Sequence, residues 1–71
     1  MRVIEERDNG AILELTTPEL RLVYGVLIEV RNGPNAFNDD DWDTLVDQPR
    51  ELEKAIIDSL QPIVARLTAR L

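Results

Sequence analysis

Asp39, Asp41 and Asp43 alternate in the D-x-D-x-D spacing that opens a calcium-binding loop, where carboxylates at alternate positions converge on one cation. The rest of that pattern is missing. Its sixth position needs Gly for a sharp turn and holds Thr44; its twelfth needs a bidentate Glu and holds Arg50. No metal site is expected. Paired carboxylates can also do acid–base work, as in glycosidases, but these fall on expected solvent-exposed turns of a chain too small to enclose a substrate cleft. The sequence contains no His and no Cys. That removes Ser/His and Cys/His nucleophilic pairs, thiolates, soft-metal sites and a disulfide framework. No catalytic residue is assigned, no cofactor is expected, and the reading is non-enzymatic.

The acidic run suits binding better than catalysis. Asp39, Asp40, Asp41, Asp43 and Asp47 surround Trp42, the only Trp of the chain. Clustered carboxylates complement a basic protein surface, steer association and set its register. An aromatic neighbour can supply a buried anchor, so Trp42 is the candidate hot spot. Its competing role is to fill the core of a domain with few large side chains; the two readings coexist if the indole points inward and the carboxylates outward. A second candidate surface lies on the back of the last helix. Ala55, Pro62, Ala65 and Ala69 fall together opposite its apolar arc, and small residues permit close approach of a second copy in a homodimer seam. Against this, Ala is simply the best helix former on an exposed face.

Charge supports a directed surface. Residues 1–33 carry four Arg against six acids, residues 34–53 one Arg against seven acids, and residues 54–71 three basic residues against Asp58. The middle third therefore accounts for the whole formal net charge of −6. That sign argues against nucleic acid or an anionic membrane as a direct ligand. Met1–Glu6 lacks the apolar run of a secretory signal and no stretch approaches a membrane span, so a cytoplasmic location is expected.

The elements that must position these residues are marked by their ends. Asp8-Asn9-Gly10-Ala11 places Asn-Gly at the centre of an expected type I′ turn, so residues 2–16 read as a hairpin. The turn pairs Arg7 with Ile12, Glu6 with Leu13, Glu5 with Glu14 and Ile4 with Leu15, gathering Ile4, Ala11, Leu13 and Leu15 on one face. A lone hairpin is marginal in water, so this face calls for a helix against it. Thr16 or Thr17 can cap a central helix over 18–32, with Pro18 and Glu19 in its first turn. Asn32-Gly33-Pro34 stops it, with Gly33 suited to a left-handed exit. Leu22–Val30 could alternatively form a buried strand, being β-branched-rich; the helix is preferred because both ends carry helix signals. Asn38 or Asp39 caps a short acidic helix over 39–47. Asp47-Gln48-Pro49 then caps a helix over 50–71, whose Leu52, Ile56, Ile57, Leu60, Ile63, Val64, Leu67 and Leu71 share one arc. Pro62 removes one hydrogen bond and is expected to kink that helix.

At 71 residues with 44% hydrophobic content the chain makes one small globular domain. Without a staple, such a core supplies no more than roughly 3–5 kcal/mol, so help from self-association or a partner is reasonable. The expected fold is α+β: an N-terminal two-stranded antiparallel hairpin packed on two to three helices, the last one long.

The run from Glu19-Leu20 through Leu27, then Glu29-Val30 and Asn32-Gly33, following an Asn-Gly hairpin, resembles a type of small uncharacterised bacterial protein. Those proteins share a hairpin, a central helix with an E-V-x-N-G-like stop, and an acidic stretch. The resemblance covers about the first half of the chain and implies an immunity- or antitoxin-like role, without assigning a site. The leading expectation is an acidic binding module of that type, neutralising a basic protein partner. The alternative is a structural or assembly subunit, a homo-oligomer joined through its C-terminal helix.

Overall fold

The computed structural model describes residues 1–71. Its elements are β1 (Arg2–Arg7), β2 (Gly10–Glu14), α1 (Thr17–Asn32), α2 (Asp39–Leu45) and α3 (Arg50–Ala69). The expected α+β arrangement is present: an N-terminal antiparallel hairpin followed by three helices, of which the last is long. Leu22–Val30 is helix, not strand. None of the helices is long and apolar enough to cross a membrane.

The hairpin forms where expected but in another register. Arg7 pairs with Gly10, Glu6 with Ala11 and Glu5 with Ile12; a bulge between Val3 and Glu5 then sets Val3 opposite Leu13 and Arg2 opposite Glu14. Asp8 and Asn9 therefore make the connection. No non-glycine residue has positive φ, so Asn9 is not in a type I′ conformation, and the unusual backbone falls on Gly10 at φ 158°. The physical gain is in side-chain pairing. The expected Glu5–Glu14 repulsion is avoided, Arg2 instead reaches Glu14 at 3.2 Å, and Arg7 bonds Glu5. Every strand residue is exposed on both faces of the hairpin. The α-amino group of Met1, bonded to the Glu19 carboxylate, ties the hairpin to the first turn of α1.

Of the two caps available to α1, Thr16 is the one used. Thr16 N donates to Glu19 Oε1 at 2.8 Å and Glu19 N donates to Thr16 Oγ1 at 3.4 Å, closing a capping box. At the other end Gly33 is extended rather than left-handed, with φ −76° and ψ 176°. That conformation is open to any residue, and a Cβ there would meet only the end of the exposed Glu29 side chain folded over it, which is free to move aside. Phe37 N then donates to Val30 O at 2.8 Å and folds the loop back on the helix.

α3 continues through Pro62 to Ala69, held by its apolar arc. It starts without the side-chain cap expected from Asp47 or Gln48; Pro49 occupies the cap position and makes no such bond. α1 and α3 form the principal helix–helix contact. The core is small. Only Trp42, Ile57 and Val64 among apolar residues are buried, together with one charged residue, Glu53.

Candidate functional site

The acidic segment is held by a few specific bonds. Asn38 caps α2 by accepting from Asp41 N at 2.7 Å, which places Asp39, Asp40 and Asp41 in the positively polarised first turn. α2 ends at Leu45, two residues before its expected end, because Val46 turns to an extended conformation at φ −123° and ψ 113°. Asp47 therefore lies on the connection to α3 rather than on the helix.

Trp42 faces inward. It is 6% exposed, its indole N–H donates to Gln48 O at 2.7 Å, and the Arg50 guanidinium carbon lies 5.1 Å from the ring centroid. The expectation that Trp42 also serves as a partner's anchor is thereby corrected. The indole is the fastener between α2 and α3, committed to the core because no other side chain of the segment is large enough to fill it.

The carboxylates point the other way. Asp39, Asp40, Asp41, Asp43 and Asp47 are all exposed. Only Asp39 makes an ion pair, with Arg50 Nη1 at 3.3 Å. Asp40, Asp41, Asp43 and Asp47 make none; elsewhere Glu5, Glu14, Glu19, Glu53 and Asp58 are paired, while Glu6, Asp8, Glu29 and Glu51 are unpaired but scattered along the chain. Four unneutralised charges thus remain within eight residues. Asp43 and Asp47 also border an open depression of about 300 Å³ with Val46, Gln48 and Pro49. It is mostly polar, with two carboxylates beside Val46 and Pro49, a setting that suits the charged end of one lysine or arginine side chain. No group of three or more acids is placed to hold a metal ion.

The structural residues that sequence reasoning missed are charged ones behind this surface. Glu53 has a fully buried side chain. Its Oε1 accepts from Arg31 Nη1 at 2.8 Å and, over a long 3.4 Å, from Arg50 Nε, while Oε2 has no partner. Arg50 also donates through Nη2 to Phe37 O at 2.8 Å. The alternating series Arg31, Glu53, Arg50, Asp39 joins α1, α3 and α2, so charge holds the acidic segment in place as well as Trp42 does. A signal for it existed. At about 100° per residue, Arg50, Glu53, Ile57 and Val64 fall within about 60° of one another, with Glu53 on the apolar arc beside Val64 and Arg50 at the arc's edge next to Ile57.

The small residues proposed as a dimer seam, Ala55, Pro62, Ala65 and Ala69, are all exposed on α3. Comparison with protein-family models, curated proteins and solved structures finds no match to this chain.

Proposed function

We propose that this chain is a non-enzymatic, acidic protein-binding module. Its partner carries a basic surface, and the form of the activity that its composition and its resemblance to small bacterial proteins favour is an immunity- or antitoxin-type inhibitor. Such an inhibitor presents carboxylates where the target otherwise meets phosphates. The observation that carries this reading is the set of four exposed, unpaired carboxylates, Asp40, Asp41, Asp43 and Asp47, on a segment fixed from behind by Trp42 and Arg50. Opposite charges brought together this way raise association rates and exclude like-charged competitors. The depression at Asp43 and Asp47 is the place for a single basic side chain.

Asp40→Lys combined with Asp43→Lys tests the assignment, because both side chains are exposed and neither makes an ion pair within the protein. The wild-type chain and the double variant are used as parallel baits in a lysate of the source cell. A basic protein held by the wild type, eluted by salt and lost at least about tenfold from the variant is the expected result. Equal retention by both baits would remove the acidic segment from the interface.

A further inference from the structure

The connection between α2 and α3 has a different chemistry on each side. Val46, Gln48 and Pro49 border the acidic depression together with Asp43 and Asp47. The same three residues border a second cavity of about 210 Å³, whose other walls are Leu27 from α1, Trp42 from α2, and Leu52 and Ile56 from α3. The surface of this second cavity is almost entirely apolar. Leu52 and Ile56 are 44% and 40% exposed, so it is not sealed within the core. Glu53, the one charged residue in its lining, is already met by Arg31 and Arg50. The cavity therefore asks for apolar surface and not for a second cation.

Its size and its neighbour say what fits. An apolar cavity of about 150 Å³ holds one benzene molecule, and sites for drug-sized ligands take about 300 Å³ or more. About 210 Å³ is room for one side chain of leucine or phenylalanine size. Attraction between charges sets rate and specificity more than affinity, and affinity is carried by buried apolar anchors. With Trp42 turned inward, the acidic segment presents no anchor of its own. The cavity supplies the missing part with the roles reversed: Trp42 is a wall, and the anchor comes from the partner. A second copy of a chain with net charge −6 is disfavoured beside Asp43 and Asp47.

We infer that this cavity receives one apolar side chain of the basic partner, close to the lysine or arginine that meets Asp43 and Asp47, so that the partner straddles residues 46–49. The occupant is named on the premise that the acidic segment is the binding surface; the cavity's preference for an apolar side chain is measured separately from that premise.

Calorimetric titration at low salt with two acetylated, amidated peptides, Lys-Lys-Leu-Lys-Lys and Lys-Lys-Ser-Lys-Lys, tests it. The leucine peptide binds at least about tenfold more tightly, the factor that burying one leucine side chain gives. Ile56→Trp, which fills the cavity from a half-exposed position, brings the leucine peptide down to the serine peptide, whereas Asp43→Lys with Asp47→Lys weakens both. Equal affinity of the two peptides for the wild type, or a leucine preference that survives Ile56→Trp, overturns the cavity's role; the acidic surface still stands if the Asp variant weakens both peptides. Peptides held equally by the wild type and the Asp variant overturn the acidic reading and the naming of the partner as basic, even where the leucine preference remains. Failure of both peptides to bind overturns the two together. Should Ile56→Trp unfold, NMR of the wild type decides. The leucine peptide alone shifts the methyl signals of Leu27, Leu52 and Ile56, and shifts confined to residues 39–47 with both peptides overturn the cavity's role.

Discussion

Trp42 and Glu19 show how single residues set the behaviour of this chain. Trp42 is the largest of three buried apolar side chains, and its N–H answers the Gln48 carbonyl. Trp42→Phe keeps most of the apolar contact and loses that bond, at a cost of about 1 kcal/mol. Trp42→Ala opens a cavity worth about 3–5 kcal/mol, comparable to everything so small a core supplies. Urea titration should therefore find the Phe variant folded with a lower midpoint and the Ala variant without a cooperative transition. Glu19 contributes on the acid side. The α-amino group of Met1 bonds its carboxylate, the Thr16 backbone and side chain add to this, and together they lower its pKa from 4.5 to about 2. A carboxylate depressed in the folded state favours folding above its unfolded pKa, and that contribution is lost as pH falls from about 4.5 through about 2. A carboxyl titration followed by NMR should place the Glu19 midpoint near 2, and the hairpin–α1 junction should loosen in that window. A midpoint near 4.5 would show that the capping box and the amine contact do not hold in solution.

At the scale of elements, the local signals were legible and the non-local ones were not. Thr16 with Glu19, Asn38 before three acids, and Gly33-Pro34 marked helix ends correctly because capping is decided within one turn of chain. The hairpin register escaped although Asn-Gly is the strongest short-range signal for a two-residue turn, because the strands pair across Asp8-Asn9 with a bulge between Val3 and Glu5 that no local pattern announces. In this register Arg2 faces Glu14 and Glu5 does not. Glu53 escaped as a core residue, and Arg50 as its half-buried partner, because a charge on an apolar arc reads as a flaw until Arg31 is seen arriving from α1. The carboxylate surface was legible from composition alone; that Trp42 is turned away from it is a property of packing. Pro62 yields a test at this scale. It is exposed and, lacking an N–H, leaves the Asp58 carbonyl without its helical donor. Pro62→Ala should stabilise α3 by about 1–3 kcal/mol and raise the thermal midpoint by several degrees. A lower midpoint would mean that the proline ring makes contacts of its own.

Viewed as a whole molecule, the chain divides its surface into two chemically different regions. One side of the α1–α3 pair is apolar and half-covered, the segment from Asp39 to Asp47 is densely anionic, and the Arg31–Glu53–Arg50–Asp39 series fixes the second to the first. What sets the segment apart is density: Glu6, Asp8, Glu29 and Glu51 are also unpaired but lie scattered, whereas Asp40, Asp41, Asp43 and Asp47 fall within eight residues. On this account the acidic segment acts at long range on a basic partner, and long-range attraction between exposed charges is screened within about 8–10 Å at physiological salt. The most direct measurement is the association rate between the wild-type chain and the basic protein it captures, followed by stopped-flow across a range of salt. The rate should fall by at least about tenfold between about 0.01 M and 1 M ionic strength, and Asp40→Lys with Asp43→Lys should flatten that dependence. A rate that stays constant with salt, in the wild type and the variant alike, would contradict the assignment of Asp40, Asp41, Asp43 and Asp47 as the binding surface.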